Sequence, residues 1–145
     1  MPKELKNYTI EKMENKVYPK DLKYSQTHEW VKVDKDIVTI GITDFAAKRL
    51  TDLAYLELPS TGEKVAKGSS FGVVETVKAV SDLYSPVSGK IIKVNENLSK
   101  EPDIVTEDPY GEGWMIMIEI GDLSELDALM DWEEYEQLVK KEKEG

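Results

Sequence analysis

The chain contains no cysteine and a single histidine. The first absence removes disulfides, thiolate metal sites and cysteine nucleophiles. It also leaves the protein without a thiol of its own to exchange with a bound disulfide. One histidine excludes a multi-histidine metal site within one chain. Positive charge is scarce as well: 19 Lys and Arg stand against 29 Asp and Glu, giving a formal charge of −10. Nucleic acid, whose phosphates need a basic face, is therefore not an expected partner. The same balance argues against an anionic membrane surface. Basic protein surfaces are the natural complement. No apolar run approaches the length that spans a bilayer. The opening MPKELKNYTIEKMENKVYPK has no apolar h-region and carries acidic residues, so it does not read as a targeting segment. The expected location is cytoplasmic, or an organelle matrix only where a transit peptide has been removed.

What is present suits one ordinary domain. The 145 residues are 40% apolar and 33% charged, a globular composition with enough chain for a real core. Residues 1–19 form a polar extension in which Ile10, Met13 and Val17 have helical spacing. A short amphipathic helix and a loose extension are both open readings there, and Pro19 ends either. From Tyr24 the texture changes to short strands. EWVKV (29–33) and IVTIGI (37–42) flank a tight turn at Asp34-Lys35-Asp36, with Val38, Ile40 and Ile42 on one face. TDFAAKRL (43–50) predicts a helix capped by Thr43 or Asp44. LAYLELP (53–59) predicts a strand, residues 60–68 a loop, KIIKV (90–94) a strand and residues 95–113 a long polar loop. WMIMIEI (114–120) alternates again, with Ile116, Ile118 and Ile120 on one side. The end is helical, with capping boxes expected at Ser124 with Asp127 and at Asp131 with Glu134. Many short strands at close spacing predict a mainly β sandwich or barrel with helical additions. The expected organisation is an extension (1–19), a β-domain (20–121) and a helical segment packed on it (122–145).

Catalytic readings find little support. His28 adjoins Glu29, but a Ser-His-Asp triad needs three converging groups, and nothing local supplies them. His28 reads as a packed or hydrogen-bonded structural residue. Ser88-Gly89-Lys90 lacks the spaced first glycine and the Ser/Thr of a phosphate loop. The YGEG at 110–113 reads as a turn. The acidic residues are numerous but scattered.

The stretch FGVVETVKAVSDLYSPVSG (71–89) is different. Gly68 lies ten residues before Lys78 and Gly89 eleven after it, and the arms between are strand-like. This near-symmetry puts Lys78 at the tip of a hairpin. The turn alone leaves two readings. One is a lysine kept exposed for solubility. The other is an attachment site, because an acylating enzyme must reach a protruding amine whose direction stiff strands can fix.

GEKVAKGSSFGVVETVKAVSDLYSPVSGKIIKV resembles the hammerhead of biotinyl and lipoyl carrier domains. Biotinyl domains usually place methionine on both sides of the lysine, and lipoyl domains of 2-oxoacid dehydrogenases usually read Asp-Lys-Ala. ETVKAVSDLYSPVSG instead resembles the H-protein family of the glycine cleavage system. LKYSQTHEWVKV, VTIGITDFA, LAYLELPSTGEKVAKG, VNENLSKEPDIVTEDPYGEGWMIMIEI and LDALMDWEEYEQL resemble that family in one register, from about Leu22 to Leu138.

The resemblance implies a barrel-sandwich hybrid, and a carrier rather than an enzyme. It implies lipoic acid in amide linkage to Lys78. The partners it implies are glycine decarboxylase (P protein), aminomethyltransferase (T protein), dihydrolipoamide dehydrogenase (L protein) and lipoyl-attachment enzymes, visited by a monomer. In the family the loaded arm folds into a surface cleft. Matching positions here are Thr27, Glu29 and Asp82, with Glu29 and Asp82 placed to pair with an amine and Thr27 to add a hydrogen bond. Glu75 resembles a recognition residue for the attachment enzymes.

Three features depart from the family pattern. Thr51 replaces the glycine of Leu-Gly-Asp and is expected to adopt a strained or a different turn if that glycine takes positive φ. Arg49 stands where some relatives have a histidine facing the cleft, and a cation there is expected to repel a bound ammonium. The extension before Pro19 is atypical. These departures keep a second reading in view, an H-like lipoate-binding carrier in sulfur oxidation with a heterodisulfide-reductase-like complex, or in lipoate relay.

Overall fold

The structure is a computed structural model that describes residues 18–144. The helix expected around Ile10, Met13 and Val17 lies outside the described residues. Nine strands form two antiparallel sheets among the described residues. The larger sheet has the order β1 (Lys23–Tyr24), β2 (Glu29–Asp34), β3 (Ile37–Ile42), β9 (Ile116–Ile120), β8 (Gly89–Val94), β5 (Lys64–Val65). The smaller has the order β4 (Leu53–Glu57), β6 (Ser70–Thr76), β7 (Val80–Tyr84). The architecture is mainly β, with two sheets rather than a closed barrel, as the hammerhead-type fold requires.

The core follows from the alternation. Val38, Ile40 and Ile42 on β3 and Ile116, Ile118 and Ile120 on β9 are all buried, as the period of two predicts. Val31 and Ile91 join them from the same sheet, and Val74 and Leu83 from the smaller one. Between β2 and β3, Asp34 pairs with Ile37, so Lys35 and Asp36 form a two-residue turn with Lys35 left-handed at φ 60°. Two glycines are required by close approach. A Cβ on Gly41 would meet the Trp30 indole at 2.6 Å, and one on Gly89 would meet the Glu119 carbonyl at 2.2 Å.

The helices are shorter than their patterns. α1 runs Asp44–Lys48 rather than 43–50, and Thr43 is its cap, accepting from the Ala46 amide at 3.3 Å. The segment expected to be a polar loop contains two single-turn helices, α2 (Asn97–Lys100) and α3 (Ile104–Glu107). Leu98 and Val105 are the reason, because each is fully buried. The strand at 114–120 begins only at Ile116. Near the end, Asp122 rather than Ser124 starts a 3-10 helix (Leu123–Ala128), its carboxylate accepting from the Ser124 amide at 3.0 Å. α4 (Trp132–Glu144) does carry its expected capping box: Asp131 accepts from the Glu134 amide at 2.8 Å, and Glu134 accepts from the Asp131 amide at 3.2 Å.

α4 packs on a second apolar cluster of Tyr18, Leu22, Tyr24, Trp30, Tyr135 and Val139. Tyr24 and Tyr135 stack face to face at 4.6 Å, with Tyr18 edge-on to Tyr135 at 4.9 Å. Burial pushes the Tyr18 phenol up to about 12, with Glu136 adding to the effect. Tyr24 also exchanges both backbone hydrogen bonds with Met130. These contacts hold the C-terminal segment against β1, beside the cleft described next.

Candidate functional site

The hairpin of β6 and β7 closes at Glu75 opposite Val80. Thr76 then controls the turn. Its amide donates to the Ala79 carbonyl at 2.9 Å, and its hydroxyl oxygen accepts from the amides of Lys78 at 3.2 Å and Ala79 at 3.1 Å. One side chain thus satisfies two amides that a tight turn leaves unpaired. Lys78 is exposed and makes no ion pair among the described residues. Its backbone is held while its amine is left to solvent.

A second brace comes from outside the hairpin. The Val77 amide donates to the Asp52 carbonyl at 3.3 Å. Asp52, not Thr51, takes the left-handed conformation at φ 57°. Strain is therefore not placed on Thr51, and the turn uses an aspartate, one of the few residue types that visit this region routinely.

Beside the hammerhead base lies a cleft of about 520 Å³ lined by Tyr24, Thr27, Tyr84, Pro86, Leu129 and Met130 among others. Ser25 and Lys67 also contribute to its wall. The lining is mostly apolar. Glu29 lies behind it, 2% exposed, and its Oε1 accepts from the hydroxyls of the lining residues Ser25, at 2.7 Å, and Thr27. Burial pushes the Glu29 carboxyl up to about 7, against the pull of the Ser25 and Thr27 hydroxyls and the Tyr84 amide. A carboxyl so placed can hold a proton near neutrality, or give it up when a cation arrives.

The sequence-expected residues are not all gathered at that point. Thr27 and Glu29 are in direct contact. Asp82 is exposed and accepts from the Ser70 hydroxyl at 3.2 Å. It shares a face of β7 with Tyr84, one pleat step from the cleft wall toward Lys78. Glu75 sits higher on the hairpin, between Tyr55 and Val80 in register.

His28 sits between Thr27 and Glu29 and is structural, as its setting in sequence implied. Its backbone is left-handed at φ 72°, its amide donates to the Ser25 carbonyl and its carbonyl accepts from the Thr43 amide. The ring lies between Tyr135, whose hydroxyl is 2.8 Å from Nδ1, and Glu142, whose carboxylate is 2.8 Å from Nε2. Thr43 Oγ1 is 2.7 Å from the Tyr135 hydroxyl. The donors and acceptors close consistently with a neutral ring protonated at Nε2. Thr43 then donates to Tyr135, Tyr135 to Nδ1, and Nε2 to Glu142. Burial lowers the His28 pKa and outweighs the attraction of Glu142. The chain of contacts ties α4 to the turn that aims Ser25 and Thr27 at Glu29.

Arg49 belongs to this network rather than to the cleft. Its guanidinium lies 4.1 Å above the Phe45 ring and reaches Glu142 at 3.5 Å. Its charge is thus partly met by Glu142, and Arg49 is not among the residues lining the cleft. Sequence reasoning missed Ser25, which stands two residues before Thr27. It also missed Leu129 and Met130, which reach the cleft through tertiary contacts alone.

A hairpin carrying an exposed lysine at its tip, with a mostly apolar cleft at its base, is the arrangement of biotinyl- and lipoyl-type carrier folds. Within that class, residues 22–142 match the family described as Glycine cleavage H-protein. The chain belongs to this family. It is 58% identical over 128 residues to a glycine cleavage system H protein of Carboxydothermus hydrogenoformans, covering 88% of this chain and 98% of that one. It is 51% identical over 124 residues to one of Anoxybacillus flavithermus, covering 86% and 98%. A crystal structure of the H protein from Mycobacterium marinum superposes with a TM-score of 0.76 at 35% identity, covering 85% of this chain and 99% of that one. Relatives that carry the glycine-cleavage name at this identity do not favour the sulfur-oxidation or lipoate-relay reading.

Proposed function

We propose that this chain is the lipoyl carrier of the glycine cleavage system, with lipoic acid in amide linkage to Lys78. The observation that carries the site is the exposed amine on a turn whose amides Thr76 holds. When attached, the lipoyl group supplies a disulfide that is reduced as the aminomethyl group of glycine is taken up. The residues present fit that group: an unpaired amine to bind it, and a mostly apolar cleft for its hydrocarbon arm. The chain has no cysteine, so none of its own thiols can open the disulfide.

The remaining roles belong to the cleft. Glu29, with Ser25 and Thr27, receives a primary ammonium and ionises as it does so. Asp82, on the path from Lys78 to Tyr84, adds a second negative charge. The carrier body is 20–121, and 122–145 is the helical segment that completes the cleft wall. The chain has no catalytic residues of its own. It works as a cytoplasmic monomer that docks in turn on the decarboxylating enzyme, the aminomethyltransferase and dihydrolipoamide dehydrogenase. Its acidic surface suits transient docking on basic faces.

Two measurements test this. Intact-mass analysis after expression with a lipoylation system should show one lipoyl addition that Lys78→Arg abolishes. An unmodified wild type, or modification surviving that substitution, sinks the Lys78 assignment. The lipoylated protein should then be reduced on addition of glycine and a cognate decarboxylating enzyme. No reduction beside a demonstrably active enzyme would return the pathway to the lipoate-relay or sulfur-oxidation alternative.

A further inference from the structure

Among the described residues, the cleft at the hairpin base has one charged residue in its lining, Lys67. The side chain is exposed and makes no ion pair among the described residues. The backbone that carries it is fixed. Its amide donates to Ser88 Oγ at 2.8 Å, and the following amide, of Gly68, donates to the Ser85 carbonyl at 2.8 Å. Gly68 is left-handed at φ 84°, which turns the chain at the cleft wall. The acids around the cleft are engaged elsewhere. Glu125 accepts from the Ser88 amide at 2.8 Å and from its hydroxyl at 2.9 Å. Asp82 accepts from Ser70, and Glu29 accepts from Ser25 and Thr27. The other titratable groups in the lining are the phenols of Tyr24 and Tyr84. A lysine so placed lays its stem along an apolar wall and keeps its ammonium at the mouth.

A cation in that position opposes the ammonium that Glu29 receives, unless a negative charge enters with it. We propose that Lys67 holds a sulfur of the opened lipoyl ring as a thiolate. The inference rests on the lipoyl-carrier reading above and adds a residue to its cleft. Once the ring disulfide is reduced, a sulfur that carries no carbon unit is a thiol. That thiol gives its proton to solvent, and the thiolate pairs with Nζ of Lys67; no other bond forms or breaks. An apolar wall alone would favour the neutral thiol, because burial penalises the charged form. A neighbouring cation offsets that penalty. Glu29 and Lys67 then give the cleft two poles, one for each charge at the end of the arm. The closed ring has no anion to offer, so Lys67 grips the arm only when it is reduced.

The test reads the acidity of the arm's thiols. Wild type and variants, each confirmed as lipoylated by intact mass, are reduced with a phosphine and freed of it under argon. They are then alkylated with iodoacetamide from about pH 6 to about pH 10, a range that brackets ordinary thiols. The rate is followed by intact mass. Because the chain has no cysteine, every alkylated thiol belongs to the arm. Lys67→Gln should move the midpoint of the first thiol to ionise up by about one pH unit. Lys67→Arg should keep the wild-type midpoint, which separates a lost charge from a damaged wall. Lys64→Gln removes a charge from a different groove and should also keep it. An unchanged midpoint in Lys67→Gln overturns the inference. So does an equal shift in Lys64→Gln, which would mark the general field of the protein rather than a contact. A wild type that takes no lipoyl group fails the carrier reading itself, whereas arm thiols that ignore Lys67 fail this inference alone.

Discussion

Glu29 gives the sharpest quantitative expectation. Its carboxyl is raised from 4.5 to about 7 by burial, so the folded state favours the protonated form by about 3 kcal/mol relative to the unfolded chain. The sign follows from which state holds the proton. Below pH 4.5 both states are protonated and the contribution to stability is intact. As pH rises toward 7, the unfolded chain ionises first and stability is lost, the loss being complete above about 7. Glu29→Gln keeps the shape and removes the titration. The variant should therefore gain on wild type as pH rises, by about 3 kcal/mol between pH 4.5 and pH 8, or about 10 °C in Tm for a domain of this size. Urea unfolding of both chains at closely spaced pH values measures the difference, in which the other titrating groups cancel. A difference that stays flat from pH 5 to pH 8 would refute the buried, proton-holding carboxyl and its part in receiving an ammonium.

Three further outcomes follow from the same geometry. Tyr135→Phe leaves the Thr43 hydroxyl and His28 Nδ1 without their shared partner, so urea unfolding should show a loss of about 1–3 kcal/mol. The His28 ring should titrate below 6.5 by NMR, and the stability its neutral form contributes above that pH should fade as the solution is acidified; a midpoint above 6.5 would mean that Glu142 outweighs burial. Asp52→Gly should be neutral or stabilising by up to about 1 kcal/mol, because it relieves a left-handed aspartate, whereas Thr51→Gly should cost about 0.5–1 kcal/mol through chain entropy alone.

The alternation of β3 and β9 made the core legible, because a period of two assigns each isoleucine to a face without further information. Lys78 was legible for a similar local reason: its two arms balance about it, and the turn it needs is short. What escaped the sequence is mostly what depends on distant partners. Leu98 and Val105 turn a polar segment into two helical turns because a core elsewhere accepts them. Arg49 reads as an unpartnered cation in the sequence, and only the fold brings Glu142 of α4 to it. Thr51 looked strained because the family's glycine precedes the aspartate, yet the left-handed residue is the aspartate itself. The raised carboxyl of Glu29 could not be read from Glu-Trp-Val, since depth of burial belongs to the whole sandwich.

The double use of Thr76 has a consequence for traffic. Because its hydroxyl and amide together bind the turn, the hairpin has no slack to pay out toward a visitor. Whatever engages the tip must come to it, and a tip this narrow admits one visitor at a time. A visitor therefore meets a turn already set in its final shape, and any adjustment has to be made on the visitor's side.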